Sequence, residues 1–388
     1  MDFTLNEDQQ AFQQTARAFA REQLAPFAGQ WDEEKIFCKD SYAKAGELGF
    51  CGLYTPEAAG GMNLSRLDSS IVLEELAAGC SSTAAFISIH NMATWMIASW
   101  GQSATVARWC DDLTQGKKLA SYALTEPDAG SDAGSLRSTA KLQGDHYLLN
   151  GSKMFISGAG ATDVLVVMAR TGTQESGAGG ISAFAVPSDL AGINYGKNEA
   201  KMGWNSQPTR AISFEDVKLD QSCLLGGEGE GFKIAMRGLD GGRINIASCS
   251  IGAAQACIEH SQRYLQERKQ FGKPLASFQA LQFKLADMVT ELIAARQMVR
   301  LAASKLDAND PDKSTYCAMA KRFATDVGFN VCNDAMQLHG GYGYLKEYPL
   351  ERFMRDARVH QILEGTNEIM RVITARRIFE EGATEVLR

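Results

Sequence analysis

Apolar residues recur on a helical period in the first third of the chain. An amphipathic pattern covers residues 6–30 and ends near Pro26, a residue that stops helices because it lacks a backbone N–H. Two further helical runs cover 67–78 and 87–100. The pattern therefore predicts an all-helical N-terminal domain over residues 1–118.

The middle of the chain alternates short apolar runs with turn residues, which is typical of strands. Strands at 138–142 and 146–149 flank the turn 143–145, and Asn-Gly at 150–151 predicts a second hairpin turn immediately afterwards. We expect these strands to form an antiparallel β-barrel or sandwich domain over residues 119–225. Further strands are expected at 164–168, 181–186 and 211–214.

From Gly231 onward the helical period returns. Ser277 is positioned to cap a helix that runs through Leu306, and another helix is expected over 313–338. Long amphipathic helices joined by short loops predict a four-helix bundle over residues 226–388. The order of helices, strands and helices predicts an α+β multidomain fold, because a doubly wound sheet would alternate strands with helices.

Composition narrows the classes of partner. The chain has 388 residues, enough for about two or three domains, and its formal net charge of −7 argues against a nucleic-acid or anionic-membrane partner. No apolar run approaches the roughly 18 residues that cross a bilayer. The acidic, polar start of the chain argues against a signal or transit peptide. We expect a protein of the bacterial cytoplasm, or of the mitochondrial matrix in a mature eukaryotic form.

The cysteines and histidines lack the spacing of a metal site. The nine cysteines and five histidines are dispersed, without a C-x-x-C pair. We therefore expect reduced, mostly buried thiols and no structural metal. No G-x-G-x-x-G string follows a predicted strand, so the sequence does not support a Rossmann dinucleotide site.

The segment 122–132, YALTEPDAGSD, breaks a predicted strand at Pro127 and continues in small residues with exposed backbone N–H groups. Such a loop lets a planar or phosphorylated ligand approach the main chain. On composition alone, an ordinary surface turn is the favoured interpretation. The string T-E-P-x-A-G-S-D within the segment resembles the flavin-binding loop of the acyl-CoA dehydrogenase family.

Three further segments resemble motifs of the same family. Phe-Ile-Ser at 155–157 resembles the segment that places a hydroxyl near the reactive nitrogen of the flavin. R-x-x-F-G at 268–272 and Q-x-x-G-G at 337–341 resemble motifs that reach the flavin nucleotide of a neighbouring subunit. Without this resemblance, Phe155 would more often be a core aromatic. For Arg268, a basic helix end that stabilises its own dipole and a residue that binds a diphosphate would be about equally good interpretations.

Together these motifs imply that FAD is the cofactor. The residues that the resemblance places against it are Tyr122, Leu124, Thr125, Gly130, Ser131, Phe155, Ile156, Ser157, Arg268, Phe271, Phe278, Gln337, Leu338, Gly340, Gly341, Thr366, Asn367 and Glu368.

The segment 362–369, ILEGTNEI, resembles the family's E-G-T/S segment, in which the glutamate is the catalytic base. Considered by itself, a glutamate before Gly-Thr would usually be a solvated helix start. Some members carry the base at a position that corresponds to Gly242 here, which cannot accept a proton, so Glu364 is the candidate base. The residues that the resemblance places against the acyl-CoA substrate are Ser131, Asp240, Arg243, Glu364 and Gly365.

The resemblance implies an FAD-dependent dehydrogenase that oxidises the α,β-bond of a short acyl-CoA. The strings at 87–92, 203–210 and 241–248 are most similar to members that convert branched isobutyryl-CoA to methacrylyl-CoA in valine catabolism. The family also implies an electron-transfer flavoprotein as the electron acceptor. The oligomer that it implies is a homotetramer, built as a dimer of dimers.

Alternative functions are compatible with much of the same pattern. A dehydrogenase for butyryl-CoA or 2-methylbutyryl-CoA would carry the same motifs, and an acyl-CoA oxidase would pass electrons to oxygen. A non-catalytic acyl-CoA or flavin-binding protein is a further alternative, against which the retained Glu364 argues. A purely structural helical scaffold would be colourless.

Overall fold

The first third of the chain is helical in the computed structural model. The structure describes residues 4–380 together with residues 382, 385 and 387. The predicted runs at 67–78 and 87–100 fall within α4 and α5. The helices of this part are α1 (Glu7–Phe19), α2 (Ala28–Glu34), α3 (Lys39–Glu47), α4 (Arg66–Gly79), α5 (Ser81–Trp100) and α6 (Ser103–Thr114).

The first helix begins at a capping box. The side chain of Asn6 accepts a hydrogen bond from the Gln9 backbone N–H, and the Gln9 side chain accepts one from the Asn6 N–H. A π-helical turn, Ala20–Leu24, extends α1 up to the residues around Pro26. The helical stretch therefore ends where the proline predicted, and α2 begins after a short turn.

Strands of the middle part form one sheet, with the order β6-β7-β3-β2-β4-β5-β8 and β1 paired to β4. Most neighbours are antiparallel, but β1 runs parallel to β4, and Thr139 of β2 pairs in parallel with Arg170 of β4. The expectation of a purely antiparallel meander is wrong for these two pairings. Both β1 and β2 lie beside β4, a strand that follows later in sequence and runs in the same direction. The strands are β1 (Ala120–Ala123), β2 (Thr139–Gln143), β3 (His146–Ser157), β4 (Val164–Arg170), β5 (Ile181–Pro187), β6 (Ile193–Tyr195), β7 (Thr209–Asp220) and β8 (Leu224–Leu225).

The predicted hairpin turn at Asn150-Gly151 is wrong, because β3 continues through these residues. The β3–β7 register shifts between Leu149 and Gly151, which marks a β-bulge. Across the bulge, the Asn150 side chain donates to Asp216 Oδ1 and accepts from the Asp216 N–H, each at 2.9 Å. Hydrogen bonds between β3 and β7 therefore pair the polar groups of Asn150, which a hairpin turn would have left exposed to solvent.

The C-terminal part is again helical. Its elements are α7 (Gly231–Glu267), the short hairpin of β9 (Lys269–Gln270) and β10 (Lys273–Pro274), α8 (Gln279–Asp307), α9 (Lys313–His339), α10 (Leu350–His360) and α11 (Asn367–Ile378). The predicted cap at Ser277 is wrong. Phe278 occupies the N-cap position of α8, and the Ser277 hydroxyl donates instead to the Pro274 carbonyl at 2.6 Å.

Helix α7 lies at the centre of the molecule. It packs against α4 and α5 on the N-terminal side and against α8 and α9 in the bundle, and it also contacts β4 and β5. Its middle third is almost wholly buried, so residues near Gly242 lie where all three parts of the chain meet. The arrangement confirms the predicted α+β multidomain class. Among the described residues, no helix combines the length and apolar character needed to span a bilayer.

Candidate active site

Glu364 lies in the turn that joins α10 to α11. Glu364 and Gly365 both have left-handed backbone conformations, with φ values of 54° and 88°. A left-handed conformation is uncommon for a residue with a side chain, and surrounding contacts must hold it. The Thr366 hydroxyl caps α11 by accepting from the Ile369 N–H at 3.3 Å. The Glu364 side chain therefore points away from α11, the helix that follows the turn.

The Glu364 carboxylate faces α7. Oε2 would lie 2.5 Å from a Cβ atom built on Gly242. The residue as a whole is half-buried, but this oxygen is inaccessible and has no hydrogen-bond partner among the described residues. Burial raises the pKa of Glu364 to about 7, although the charges of Lys321 and Arg243 act in the opposite direction. A carboxyl group with such a pKa can take up a proton near neutral pH.

Arg243 is held beside Glu364 by Asp240, which is itself held by Ser314. Its Nη1 donates to Asp240 Oδ1 at 2.7 Å, and the Ser314 hydroxyl donates to Asp240 Oδ2 at 2.6 Å. The Arg243 Nε is buried, and the part of the chain that the structure describes offers it no partner. Asp240 and Arg243, both predicted to contact substrate, therefore form a buried ion pair that retains one free donor.

Tyr122 of the sheet lies near the Glu364 carboxylate. Its hydroxyl, at the end of β1, is buried and makes no hydrogen bond within the described residues. Burial raises the pKa of Tyr122, and the nearby negative charge of Glu364 raises it further. Two buried polar groups from different parts of the chain, the Tyr122 hydroxyl and the Glu364 carboxylate, are thus brought together without protein partners.

The loop that follows β1 is anchored from inside by a buried lysine. Lys153 Nζ donates to the Leu124 carbonyl at 2.9 Å and to Glu126 Oε1 at 2.8 Å. Glu126 also accepts from the backbone N–H groups of Arg137 and Ser138, at 2.6 and 3.0 Å. Burial would raise the pKa of Glu126, but Lys153 and these donors hold it below its ordinary value.

The two predicted flavin segments lie side by side. The Met154 N–H donates to the Thr125 carbonyl at 2.8 Å. Phe155 has a left-handed backbone with φ of 60°, and 63% of its surface is exposed. Ile156 instead packs in the core of the sheet, and Ser157 uses its carbonyl to accept from the Ser121 hydroxyl. On the preceding loop, Gly130 has open space around it and Ser131 is exposed.

A second group of predicted residues lies at the far end of the bundle. Arg268 is the C-cap of α7, 26 residues beyond Gly242, which corresponds to about 39 Å of helix. Its guanidinium lies 5.4 Å from the Tyr342 ring centre. Phe271 is 92% exposed and contacts Phe278 edge-on, with ring centres 6.0 Å apart. Arg268 and the Glu364 carboxylate of one chain therefore lie far apart along α7.

The distal group surrounds an open cavity of about 580 Å³. Arg268, Gln337 and Leu338 contribute to its wall, together with Gly340 and Gly341, whose Cα atoms face open space. Most of the Leu338 side chain packs in the bundle core. We refer to Arg268, Phe271, Phe278 and 337–341 as the distal cluster.

Two residues of the segment 366–368 point away from each other. Asn367 is buried, and its side chain donates to Asp326 Oδ1 at 2.7 Å and accepts from Lys321 Nζ at 2.9 Å. The protein interior therefore uses both ends of the Asn367 amide. Glu368 is exposed on the first turn of α11.

Sequence reasoning missed three buried charged residues at this site. Lys153 and Glu126 anchor the loop after β1, and Lys321 contacts the turn of Glu364. A signal for Lys321 was present, because it falls on the same apolar face of α9 as Cys317 and Ala324. A charged residue in such a stripe requires a buried polar partner.

The chain belongs to the acyl-CoA dehydrogenase family. Family models described as the N-terminal, middle and C-terminal domains of acyl-CoA dehydrogenase match residues 6–117, 121–217 and 229–379. The protein is therefore a flavoprotein oxidoreductase that acts on acyl-CoA, and the predicted family is confirmed. Members of this family depend on FAD, and the matched solved structures include an FAD complex.

The relatives that match include enzymes for a short branched substrate. The chain is 52% identical over 377 residues to the mitochondrial isobutyryl-CoA dehydrogenase of Bos taurus, covering 97% of this chain and 90% of that protein. The mitochondrial isobutyryl-CoA dehydrogenase of Dictyostelium discoideum matches with the same identity and coverage. Among solved structures, butyryl-CoA dehydrogenase from Megasphaera elsdenii superposes with a TM-score of 0.93 at 39% identity, covering 100% of both chains.

The geometry fits the cofactor of the family. The buried Tyr122 hydroxyl and Glu364 Oε2 require partners that the described residues do not supply. Phe155 presents an exposed ring on a rigid left-handed backbone, and Gly130 leaves its main chain open. These are features of a surface shaped for a planar, polar ligand.

Proposed function

We propose that this protein dehydrogenates isobutyryl-CoA to methacrylyl-CoA in valine catabolism, with Glu364 as the base that removes the α-proton. The observation that carries the proposal is the buried, unpartnered Glu364 Oε2, whose pKa is raised to about 7 by burial. General bases work best when their pKa lies near the working pH. Bound FAD supplies the acceptor for the hydride from the β-carbon.

The residues around Glu364 prepare it for proton removal. Lys321 and Arg243 favour the ionised carboxylate that must accept the proton, while burial favours the protonated product of that step. The Glu364 backbone N–H makes no hydrogen bond to another described residue. It is therefore available to the thioester oxygen, which gains negative charge as the α-proton leaves.

A short acyl chain fits the space beside α7. Met92 Sδ lies 3.2 Å from a Cβ atom built on Gly242, and Met96 lies even closer to the corresponding position on Gly238. Met92 therefore occupies volume next to the carboxylate, and Met96 lies one helical turn away along α7, which favours an acyl group of few carbons. The 52% identity to isobutyryl-CoA dehydrogenases supports the branched substrate.

The distal cluster supports an oligomer with shared cofactor sites. Because it lies about 39 Å along α7 from Gly242, its residues are suited to the FAD of a second copy. An assembly of this kind is at least a dimer, and the proposal is a homotetramer built as a dimer of dimers. An electron-transfer flavoprotein is the proposed electron acceptor. The mitochondrial relatives support the mitochondrial matrix, or the cytoplasm if the protein is bacterial.

An anaerobic acyl-CoA panel tests the substrate. The purified protein is expected to be yellow, and its flavin absorbance is expected to bleach on addition of isobutyryl-CoA. The value of kcat/KM for isobutyryl-CoA should exceed that for 2-methylbutyryl-CoA by about tenfold or more, the discrimination that one methylene gives. It should also exceed the value for butyryl-CoA, the linear isomer of the substrate. A higher kcat/KM for butyryl-CoA would contradict the substrate. Peroxide formed in step with turnover in air would identify an oxidase.

A further inference from the structure

Lys321 is a fully buried lysine whose direct partners carry no charge. It lies on α9 with none of its surface exposed, and its Nζ donates to the Gly365 carbonyl at 2.8 Å and to Asn367 Oδ1 at 2.9 Å. Burying an ammonium group without a directly paired carboxylate is unfavourable. The position therefore requires an explanation beyond packing.

Both partners of Lys321 belong to the turn that carries Glu364. Gly365 follows Glu364 directly, and both residues are left-handed. The hydrogen bond to the Gly365 carbonyl fixes the peptide that joins Gly365 to Thr366, one residue beyond Glu364. Asn367, the second partner, is itself held by Thr325 at 3.0 Å and Asp326 at 2.7 Å. Helix α9 thus anchors the turn at two points, through one lysine.

Of the two positively charged residues that face Glu364, Lys321 is the one without a directly paired carboxylate. Arg243 of α7 also faces the carboxylate, but Asp240 pairs with it directly. The other titratable groups facing Glu364 are neutral at physiological pH: Tyr54 before α4, Tyr122 on β1 and Cys249 on α7. The groups facing Lys321 itself are Glu364, Arg243, Asp326, Glu368 and His360. Among the described residues, Lys321 alone combines contacts to the turn with a positive charge that a carboxylate does not pair directly.

We propose that Lys321 is a positioning residue for Glu364, which fixes the turn through the Gly365 carbonyl and keeps the Glu364 carboxylate ionised through its own positive charge. The inference rests on the proposed role of Glu364 as the base. Lys321 does not touch substrate in this role. Its effect is transmitted through the geometry of one peptide and the field at one carboxylate.

Three variants separate the two parts of this role. Lys321→Met removes both the hydrogen bonds and the charge, Lys321→Gln retains a donor without the charge, and Lys321→Arg retains the charge. The matched control is Lys201→Met, which removes a half-buried lysine that donates to the Gln207 carbonyl, outside the turn of Glu364. For each protein, the rate constant of flavin reduction at saturating isobutyryl-CoA is measured against pH.

The expected result is a shifted pH profile. In Lys321→Met and Lys321→Gln the midpoint should rise by about one unit, because a nearby positive charge has been removed. The plateau of Lys321→Met should also fall by about 10- to 100-fold, since small displacements of a catalytic group have effects of this size. KM should change little. Lys321→Arg and Lys201→Met should keep the wild-type midpoint.

A readout independent of turnover uses the pH dependence of unfolding. Burial lowers the pKa of Lys321 to about 8, so the fold releases this proton at lower pH than the unfolded chain does. The contribution of Lys321 to stability therefore increases as pH rises from about 8 towards the ordinary lysine value near 10.4. Relative to wild type, Lys321→Met should lack this increase, whereas Lys141→Met, which changes an exposed lysine on β2, should keep it.

The outcomes distinguish this inference from the proposed function. A midpoint for Lys321→Gln equal to that of wild type would overturn the role of the Lys321 charge. If Lys321→Met does not fold, Lys321→Gln carries the test, since it keeps a hydrogen-bond donor. Flavin bleaching that persists in Glu364→Gln would instead remove the base, and with it the proposed function.

Discussion

The carboxylate of Glu364 occupies the space that a side chain at Gly242 would need. Its Oε2 lies 2.5 Å, and its Cδ 3.0 Å, from a Cβ atom built on Gly242. Real Cβ atoms do not approach other heavy atoms so closely. The glycine and the glutamate are therefore a matched pair, in which the absence of a side chain on α7 gives the carboxylate its place.

Gly242→Ala should displace Glu364 and lower the rate of flavin reduction by about 10- to 100-fold, because a base displaced by about 1 Å loses its alignment. FAD content should be retained. Gly328→Ala is a control for crowding, since its added Cβ would lie 2.9 Å from Ser250 in the same bundle. Stopped-flow reduction by isobutyryl-CoA measures both. Equal rate losses in the two variants would show that crowding in general, rather than the contact with Glu364, causes the effect.

The raised pKa of Glu364 predicts the pH dependence of the enzyme. Only the ionised carboxylate accepts a proton, so kcat/KM should rise with pH through a midpoint near 7. A flat profile between pH values about one unit either side of that midpoint would contradict the assignment.

The same pKa predicts an opposite trend in stability. The folded state keeps the Glu364 proton to higher pH than the unfolded chain, so stability falls as pH rises from the ordinary glutamate value through about 7. Glu364→Gln lacks this loss. Relative to wild type, it should gain up to about 3 kcal/mol between these pH limits, as measured by denaturant unfolding at several pH values. An unchanged difference across that range would contradict the raised pKa.

The ion pair of Lys153 and Glu126 should control both stability and FAD retention. Lys153→Met leaves a buried carboxylate unpaired and should destabilise the protein by about 3–5 kcal/mol, with partial loss of FAD. Lys153→Met/Glu126→Gln should recover much of the stability, because no buried charge remains. Lys141→Met, an exposed lysine on β2, is the control. Unfolding curves and the flavin-to-protein ratio test the prediction, and equal effects of Lys153→Met and Lys141→Met would exclude the anchor.

The distal cluster predicts complementation between subunits. Arg268→Ala should lose FAD and Glu364→Gln should lose activity, but co-expression of the two should restore activity. In a mixed dimer, the FAD of the Arg268→Ala chain would keep its own Glu364 and the partner's intact arginine. The control pairs Arg268→Ala with a chain that carries both changes, which leaves no complete site. Recovery no greater than in this control would show that Arg268 serves its own chain.

Periodicity was sufficient to predict the helical and β parts, because each depends on which face of an element is buried. The runs at 67–78 and 87–100 fall inside observed helices, and the fold class is confirmed. The wrong predictions concern segments whose local sequence pattern is compatible with more than one structure. Asn150-Gly151 forms a bulge because Asp216 lies across the strand to pair with it. The domain limits at 118/119 and 225/226 stay predictions.

The candidate site was predicted mainly by resemblance of short motifs. Glu364 and Arg243 lie close together, while the distal cluster lies at the other end of α7. Lys321 was not predicted, because its role depends on a carbonyl 44 residues away in sequence. A sequence motif also cannot predict that the Asn367 side chain points into the protein, because its contacts with Thr325 and Asp326 determine that direction.

Anaerobic addition of isobutyryl-CoA to Glu364→Gln shows whether Glu364 removes the α-proton. Glutamine preserves the shape of the side chain but cannot accept the proton, so the variant should bind FAD and lose flavin bleaching by at least about 10³-fold, the scale of a positioned base. Glu215→Gln, an exposed carboxylate on β7, should bleach like wild type. Bleaching of Glu364→Gln at a rate near that of wild type would mean that another group removes the proton.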